Sequence, residues 1–370
     1  MKIKFTGAAG DVIAMTAAVR DFRRQHPDQQ VSVETPFPEV FAHNPYVQFR
    51  DNDSLCIEIT ESDYRNGVEE TNRGRRRHFI EFFHHEIERK TGLRCQLLEP
   101  RPSLKLSHQH EVNRPVLGRY WVMFAGGKSD ITLKHWSYDR YAQLAVRLHN
   151  SGINVVQTGR ARDVHPPLPS VMNLVGWGGL RELFWLIRHS EGVICPITCG
   201  MHIAAAFGKP CVVLAGGRET PCWEAYNNDF HGFSLPIATP HRYLQSVGKL
   251  DCCLSRGCWL KQVSECHHPV VELGQPVLPL CMHDITVEAV LDAVGSYYQD
   301  GILRMAAEPE QLKFVGDCPS GMCNKKPLSE GELNAVQALA RKVLEREGLL
   351  KPQEHADLAP ATLPDRNSVT

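Results

Sequence analysis

The chain has 370 residues with 41 Lys+Arg against 42 Asp+Glu, a net charge of −1, so no global field draws it to nucleic acid or an anionic membrane, and any such contact must be local. That length accommodates two domains with ample core, and no apolar run is long enough to span a bilayer. The opening MKIKFTGAAGD lacks the charged-then-apolar layout of a secretory signal, so the expected setting is cytoplasmic; there, 13 cysteines point to free thiols or a metal site rather than a disulfide framework.

Lys2 to Thr6 predicts a strand, Gly7-Ala-Ala-Gly10-Asp11 a tight turn, and Val12 to Arg24 a helix with Ile13, Ala17, Val19 and Phe22 on one face. Asp11 falls at the helix start, where the dipole favours a carboxylate, and capping alone would justify it. The glycine spacing lacks the third glycine of the dinucleotide fingerprint. Residues 31–35 and 55–60 read as the second and third strands. Asp51-Asn52-Asp53 matches a short acidic pattern that can hold a divalent metal, but chance supplies it too easily to carry weight. Arg73 to Gly92 runs from a basic cluster into a helix carrying Phe79, Phe82, Phe83 and Ile87. The arginines either grip an acidic or phosphorylated ligand or form a solvated loop. His84 and His85 are adjacent, point different ways and make poor joint metal ligands.

The irregular, polar stretch from Pro100 to Pro115 predicts a boundary between halves. Tyr120 to Phe124 is a buried-strand signal leading into a turn with Gly126, Gly127, Lys134 and Trp136, then a helix from Tyr138 to Leu148. Residues 153–159 form a strand ending at Gly159, with Asp163 just beyond. Asn173 to Trp177 gives a strand and turn, and Leu180 to His189 a helix with Leu183, Leu186 and Ile187 inward. This alternation predicts a parallel sheet covered on both faces, with ligands bound beyond the C-terminal strand ends.

Gly192 to Gly217 reads as a strand (Val193 to Cys195), a turn (Pro196 to Gly200), a small-residue helix (His202 to Phe207) and a strand (Cys211 to Ala215). The turn and helix start, Thr198, Cys199, Gly200, Met201 and His202, aim backbone N–H groups outward and suit a phosphate or diphosphate. Taken alone, the segment is equally an ordinary crossover with a buried histidine. From Leu250 the register breaks. Cys253-x4-Cys258-x7-Cys266-x14-Cys281 supplies four thiols, enough for a closed tetrahedral metal site of structural kind, zinc by ligand chemistry; the alternative is partly buried free thiols. Cys252 is spare, and His267 and His268 are possible substitutes for one ligand. Ile285 to Tyr298 returns to helix, Cys318 and Cys323 form a small pair, and Ser329 to Glu332 resembles a capping box opening a final helix through Leu344. Residues 351–370 are polar, Pro-containing and expected to be disordered.

Gly7-x-x-Gly10-Asp11, Lys134-x-Trp136, and NLVGWGGLRELFWLI followed by TCGMHIAAAFGKP resemble glycosyltransferase family nine, the ADP-heptose:lipopolysaccharide heptosyltransferase group. The resemblance spans roughly residues 1–295 and is strongest over 120–217. It implies an α/β fold of GT-B type, two facing Rossmann-like domains with parallel sheets, here with a Cys-rich insertion and a C-terminal helix. The expected boundaries are 1–115 for an acceptor domain, 116–300 for a nucleotide-sugar domain including the insertion at 250–283, 301–350 for a helical extension, and 351–370 for the tail.

The resemblance further implies that Asp11 is the general base on the acceptor hydroxyl and Lys134 the donor-phosphate contact. It sets Trp177 against the nucleotide base, Asp163 near the ribose hydroxyls, and Gly10, Gly126, Gly127, Gly159 and Thr198 to His202 around the donor. A base and a positively polarised cradle without a nucleophile or catalytic metal imply direct displacement with inversion from an ADP-linked sugar, heptose or related. The acceptor, whether lipid-linked sugar, protein hydroxyl, natural product or modified nucleic acid, is open, and the sequence is compatible with an oligomer. A related subgroup, the bacterial autotransporter heptosyltransferases, carries cysteine-ligated iron in a comparable insertion, so the resemblance adds iron to zinc as a candidate. One departure stands out: Ile197 occupies the position of the family's aspartate, and Cys199 that of the following glycine. It keeps in view a non-catalytic nucleotide- or protein-binding module; a further rival, a sugar-nucleotide epimerase of the same architecture, would need an additional acid/base carboxylate in the cleft.

Overall fold

Strand β1 (Lys2–Phe5) lies at the centre of a parallel three-stranded sheet, flanked by β2 (Ser32–Glu34) and β3 (Cys56–Ile59). These coordinates are a computed structural model that describes residues 1–48, 55–74, 77–226, 239–253, 256–307 and 310–315. The acidic pattern at 51–53, the pair Cys318 and Cys323, the final helix and the tail lie outside the described residues. The described residues all fall within one compact unit.

Helix α1 (Ala9–Gln25) returns β1 to β2, and it is buried on every side from Val12 to Phe22 rather than along one face. The reason is position: it is packed against the first sheet on one side and against the second half of the chain on the other, so a one-sided apolar stripe would leave polar groups in the core. Its two charged core residues are accordingly paired. Asp21 accepts from Arg20 Nε at 2.7 Å, is contacted by His84 Nε2 at 3.1 Å and accepts from the Leu98 N–H at 2.9 Å, while Arg20 also donates to the carbonyls of Glu99 and Arg101.

Helices α2 (Glu61–Asn72), α3 (Phe79–Thr91) and α4 (His108–Val112) complete the first half. Helix α2 carries too few apolar residues for its period to show in the sequence. What starts it is a reciprocal cap, the Asp63 N–H donating to Thr60 Oγ1 at 3.1 Å and the Thr60 N–H to Asp63 Oδ2 at 2.8 Å.

After β4 (Val116–Leu117) come β5 (Trp121–Met123), α5 (Tyr138–Asn150), β6 (Val155–Gln157), β7 (Met172–Asn173), α6 (Leu180–His189), β8 (Gly192–Pro196), α7 (Cys199–Ala206), β9 (Cys211–Gly216), α8 (Pro221–Glu224) and β10 (His241–Gln245). The six long-range partners form one parallel sheet in the order β10-β9-β8-β5-β6-β7. Because every strand runs the same way, the turns after β5, β6, β8 and β9 gather along one edge, which is what positions the site. The insertion contains an antiparallel hairpin, β11 (Pro269–Glu272) and β12 (Gln275–Pro279), followed by α9 (Leu280–His283) and α10 (Val287–Gln299), and β13 (Lys313–Phe314) pairs with β4. One apolar cluster runs without a break from Ile3 and Phe22 to Ile203 and Val213, so the two sheets share a core; a second lies beneath the other face of the larger sheet. Among the described residues no helix is long and apolar enough to cross a membrane.

Candidate active site

Asp11 occupies the third position of α1, where its Oδ2 accepts the Ala8 N–H at 3.2 Å and its Oδ1 accepts the Tyr64 hydroxyl at 3.2 Å. The capping role is thus real, and a second partner reaches it from α2. Burial raises the Asp11 carboxyl above its ordinary range, against the lowering effects of Tyr64 and Lys134. A carboxyl moved upward in this way is a stronger proton acceptor once ionised.

Lys134 closes a single helical turn, Thr132–Lys134, on the second half of the chain. Its Nζ donates to the Ile197 carbonyl at 2.9 Å and pairs with Glu219 Oε1 at 2.6 Å. Glu219 lies just beyond β9, is paired also with Arg218, and its side chain is 3% exposed. Its second oxygen, Oε2, is buried with no hydrogen-bond partner among the described residues. Glu224, on α8, joins the same electrostatic group: burial, then the charges of Glu219 and Asp11, push its carboxyl well upward. Three carboxyls, one lysine and one arginine therefore meet where the two sheets adjoin.

Helix α7 begins at Cys199, three residues earlier than the sequence suggests, with Thr198 in extended conformation as its N-cap. The Thr198 hydroxyl oxygen is buried and has no hydrogen-bond partner among the described residues. Gly200 packs against Phe124, and a Cβ there would come within 2.6 Å of that ring. Burial lifts the Cys199 thiol to about 11. Met201 turns away into the core, its sulfur accepting the Tyr243 hydroxyl at 3.3 Å. His202 contacts the Tyr226 hydroxyl through Nδ1 at 3.0 Å, and burial, followed by the charge of Lys134, lowers it to about 3, so the imidazole is neutral.

The junction between halves is closely packed. A Cβ on Gly10 would lie 2.9 Å from His202 Cδ2, so only glycine lets α1 approach α7 here. The Phe79 ring lies tilted against the His202 ring at 4.9 Å, and Trp223 meets Tyr64 at 5.6 Å and Phe82 at 5.9 Å. These aromatic contacts hold Tyr64, and through it Asp11, against the lysine side.

The remaining predicted residues serve other contacts. Gly126 has φ +118°, and a Cβ there would overlap the Val164 carbonyl; at Gly159 a Cβ would overlap the His165 ring. The Gly127 N–H donates to the Val164 carbonyl at 3.0 Å, and His165 contacts the Ala125 carbonyl at 3.1 Å. These glycines thus admit the segment after β6 onto the turn after β5. Asp163 is paired with Arg160 at 2.8 Å. Trp177 packs against Phe314 at 5.2 Å and Trp185 at 6.1 Å.

The cysteine insertion does two things. It encloses a space of about 10 Å³, on the scale of one water or ion, lined by Cys252, Cys253, Cys258, Cys266, Cys281 and His268 among others. The four predicted ligands border it together. A tighter group, Asp251, Cys252 and His268, has its ligand atoms within 4.8 Å of one another, so the residue counted as spare and the histidine counted as substitute lie in the closest cluster. Burial raises the thiols of Cys252, Cys258, Cys266 and Cys281, which favours their neutral form until a cation is present. The donor set is soft and mostly sulfur, and it fits iron or zinc.

The insertion also braces the site. The Trp259 N–H donates to the Arg218 carbonyl at 3.0 Å, Arg218 Nε to the Leu260 carbonyl at 2.6 Å, the Leu133 N–H to the Lys261 carbonyl at 3.2 Å, and the Val263 N–H to Thr132 Oγ1 at 2.9 Å. Residues 257–263 therefore hold the Glu219 turn and the Lys134 turn in one frame.

Sequence reading missed Tyr64, Arg218, Glu219 and Glu224. The one available signal was Gly216-Gly217-Arg218-Glu219 at a strand end, with Gly216 at φ +59° beneath Met282.

Two parallel sheets with their ligand-binding edges adjoining across a charged junction define a protein of the GT-B class. Solved structures share this fold. The glycosyl transferase family 9 protein from Veillonella parvula DSM 2008 matches at TM-score 0.55 and 14% identity, covering 81% of this chain and 97% of that one. The iron-containing dodecameric glycosyltransferase TibC from enterotoxigenic E. coli H10407 matches at TM-score 0.55 and 15% identity, covering 81% and 76%. TibC is also solved in complex with ADP-D-beta-D-heptose. Residues 66–249 match the family model described as glycosyltransferase family 9 (heptosyltransferase). Lipooligosaccharide heptosyltransferase 2 of Haemophilus influenzae is 32% identical over 114 residues, 28% of this chain and 32% of that protein. The chain thus aligns with about a third of the length of the curated relatives it matches.

Proposed function

We propose that the protein is an inverting glycosyltransferase that moves a sugar, heptose or a close relative, from an ADP-linked donor to an acceptor hydroxyl. Asp11 takes the proton from the attacking hydroxyl, and Lys134 with the start of α7 stabilises the departing diphosphate. The observation that carries this reading is the meeting of Asp11 from the first half with Lys134 from the second, each in the other's electrostatic reach. The burial-raised carboxyl of Asp11 suits a proton acceptor, and the buried Thr198 hydroxyl, without a hydrogen-bond partner among the described residues and at a helix N-terminus, suits an anionic leaving group. The ADP-heptose complex of TibC supports the choice of donor.

Cysteines of the insertion would hold iron or zinc, a centre that supplies cross-linking rather than chemistry; the sulfur-rich lining supports this, as does the iron named for TibC. The described cysteines are free thiols, which supports a reducing, cytoplasmic setting.

Incubation with radiolabelled ADP-D-beta-D-heptose and candidate acceptors tests the proposal: transfer with release of ADP, lost in Asp11→Ala, is the expected result. Tight donor binding without turnover would instead make the chain a binding module. A second reading has one observation in its favour: Glu219 and Glu224 supply the extra carboxyls that a sugar-nucleotide epimerase requires. Epimerisation would leave the sugar attached and the donor mass unchanged, which mass spectrometry of the same reaction separates from transfer.

A further inference from the structure

Two buried oxygen atoms near Lys134 have no hydrogen-bond partner among the described residues, and they differ in kind. The Thr198 hydroxyl can donate to an anion, whereas Glu219 Oε2 can only accept. Lys134 ties them together, since its Nζ reaches the carbonyl of Ile197, next to Thr198, and the other oxygen of Glu219. A buried carboxylate oxygen without a donor carries a desolvation cost that a bound hydroxyl would remove. The Ile197 side chain offers no acceptor, so the carboxylate beside Lys134 here is that of Glu219. A bare diphosphate presents only acceptor oxygens and negative charge here, and Glu219 repels it. A diphosphate bearing a sugar presents both an anion for Lys134 and Thr198 and a hydroxyl for Glu219.

We propose that Glu219 is the specificity-determining residue for the transferred sugar, its Oε2 accepting a hydrogen bond from a sugar hydroxyl of the donor while its Oε1 stays paired with Lys134. This rests on the donor reading above. It has a consequence for turnover: once the sugar has left, the same carboxylate faces the diphosphate product and promotes its release.

The test compares calorimetric affinities of the full-length protein for ADP and for ADP-D-beta-D-heptose, in the wild type and in Glu219→Gln, which keeps shape and loses charge. Wild type should bind the sugar-linked nucleotide more tightly than ADP. The variant should bind ADP as well or better, and the preference for the sugar-linked form should fall by roughly 10- to 100-fold, the range of a charged hydrogen bond. Should Glu219 merely position Lys134, both affinities would fall together with their ratio unchanged, and the assignment would be wrong. Wild type that binds neither ligand would instead remove the donor reading itself. Glu219→Asp, which keeps the charge but withdraws it by one methylene, repeats the comparison if the glutamine variant does not fold; an unchanged preference there also overturns the proposal.

Discussion

Replacing Asp11 by Asn separates the capping role seen in the structure from the proposed role as base. The amide oxygen can still accept the Ala8 N–H or the Tyr64 hydroxyl, both at 3.2 Å from the carboxylate oxygens, so the cap and the link to α2 survive in part. What disappears is the ability to take a proton. Loss of a positioned general base costs typically about 10²- to 10⁴-fold in rate, or roughly 3–5 kcal/mol of activation free energy. Stability moves the other way. Burial raises the folded-state carboxyl above its ordinary value of 3.8, so its stabilising contribution is complete below that value and is lost as pH rises through the folded pKa. At neutral pH the ionised group is therefore a net burden, and the neutral amide should leave the melting temperature unchanged or higher. The assay is release of ADP from ADP-D-beta-D-heptose with pH varied: wild-type activity should climb with pH through an apparent pKa above 3.8, and the variant should lose that limb. Retention of rate within about tenfold, with the same pH profile, would refute the assignment of the base.

Three further outcomes follow from the same geometry. Lys134→Ala removes the proposed phosphate contact and leaves Glu219 with Arg218 alone, so donor affinity measured by calorimetry should drop about 10- to 100-fold, and thermal stability should fall because a buried charge loses a partner. Cys258→Ser and Cys281→Ser should lower iron or zinc content by elemental analysis and also weaken ADP binding, because residues 257–263 frame Lys134 and Glu219; unchanged metal content in both would remove the site. Burial disfavours the Asp21 carboxylate, yet hydrogen bonds from His84 and Arg20 prevail and hold it at about 2, below its ordinary value of 3.8. Its stabilising contribution, on the order of 2 kcal/mol, is present above pH 3.8 and lost as pH falls towards 2, so acid titration followed by circular dichroism should show Asp21→Asn abolishing that part of the slope.

The sequence by itself determined the alternation of strand and helix, and with it the parallel sheets and the edge where ligands bind. The period of apolar residues and the glycine or proline stops suffice for β8, α7 and β9, whose pattern needs no partner to be read. It also singled out Asp11 and Lys134 and the cysteines of the insertion. Helix α2 escaped because its stability comes from a cap and from docking rather than from an apolar stripe. The full burial of α1 escaped because a helix packed between two layers is recognisable only once the second layer is in place. Only the tertiary structure decided that Trp177 packs against Trp185 and Phe314, that the glycines after β5 and β6 serve loop packing, and that Tyr64, Glu219 and Glu224 converge on the site. A glutamate in a strand-end turn has the same local sequence whether it is solvated or buried. What distinguishes the two is the removal of water by residues distant in the chain, such as Lys134 and the segment 257–263, and local sequence contains no record of that.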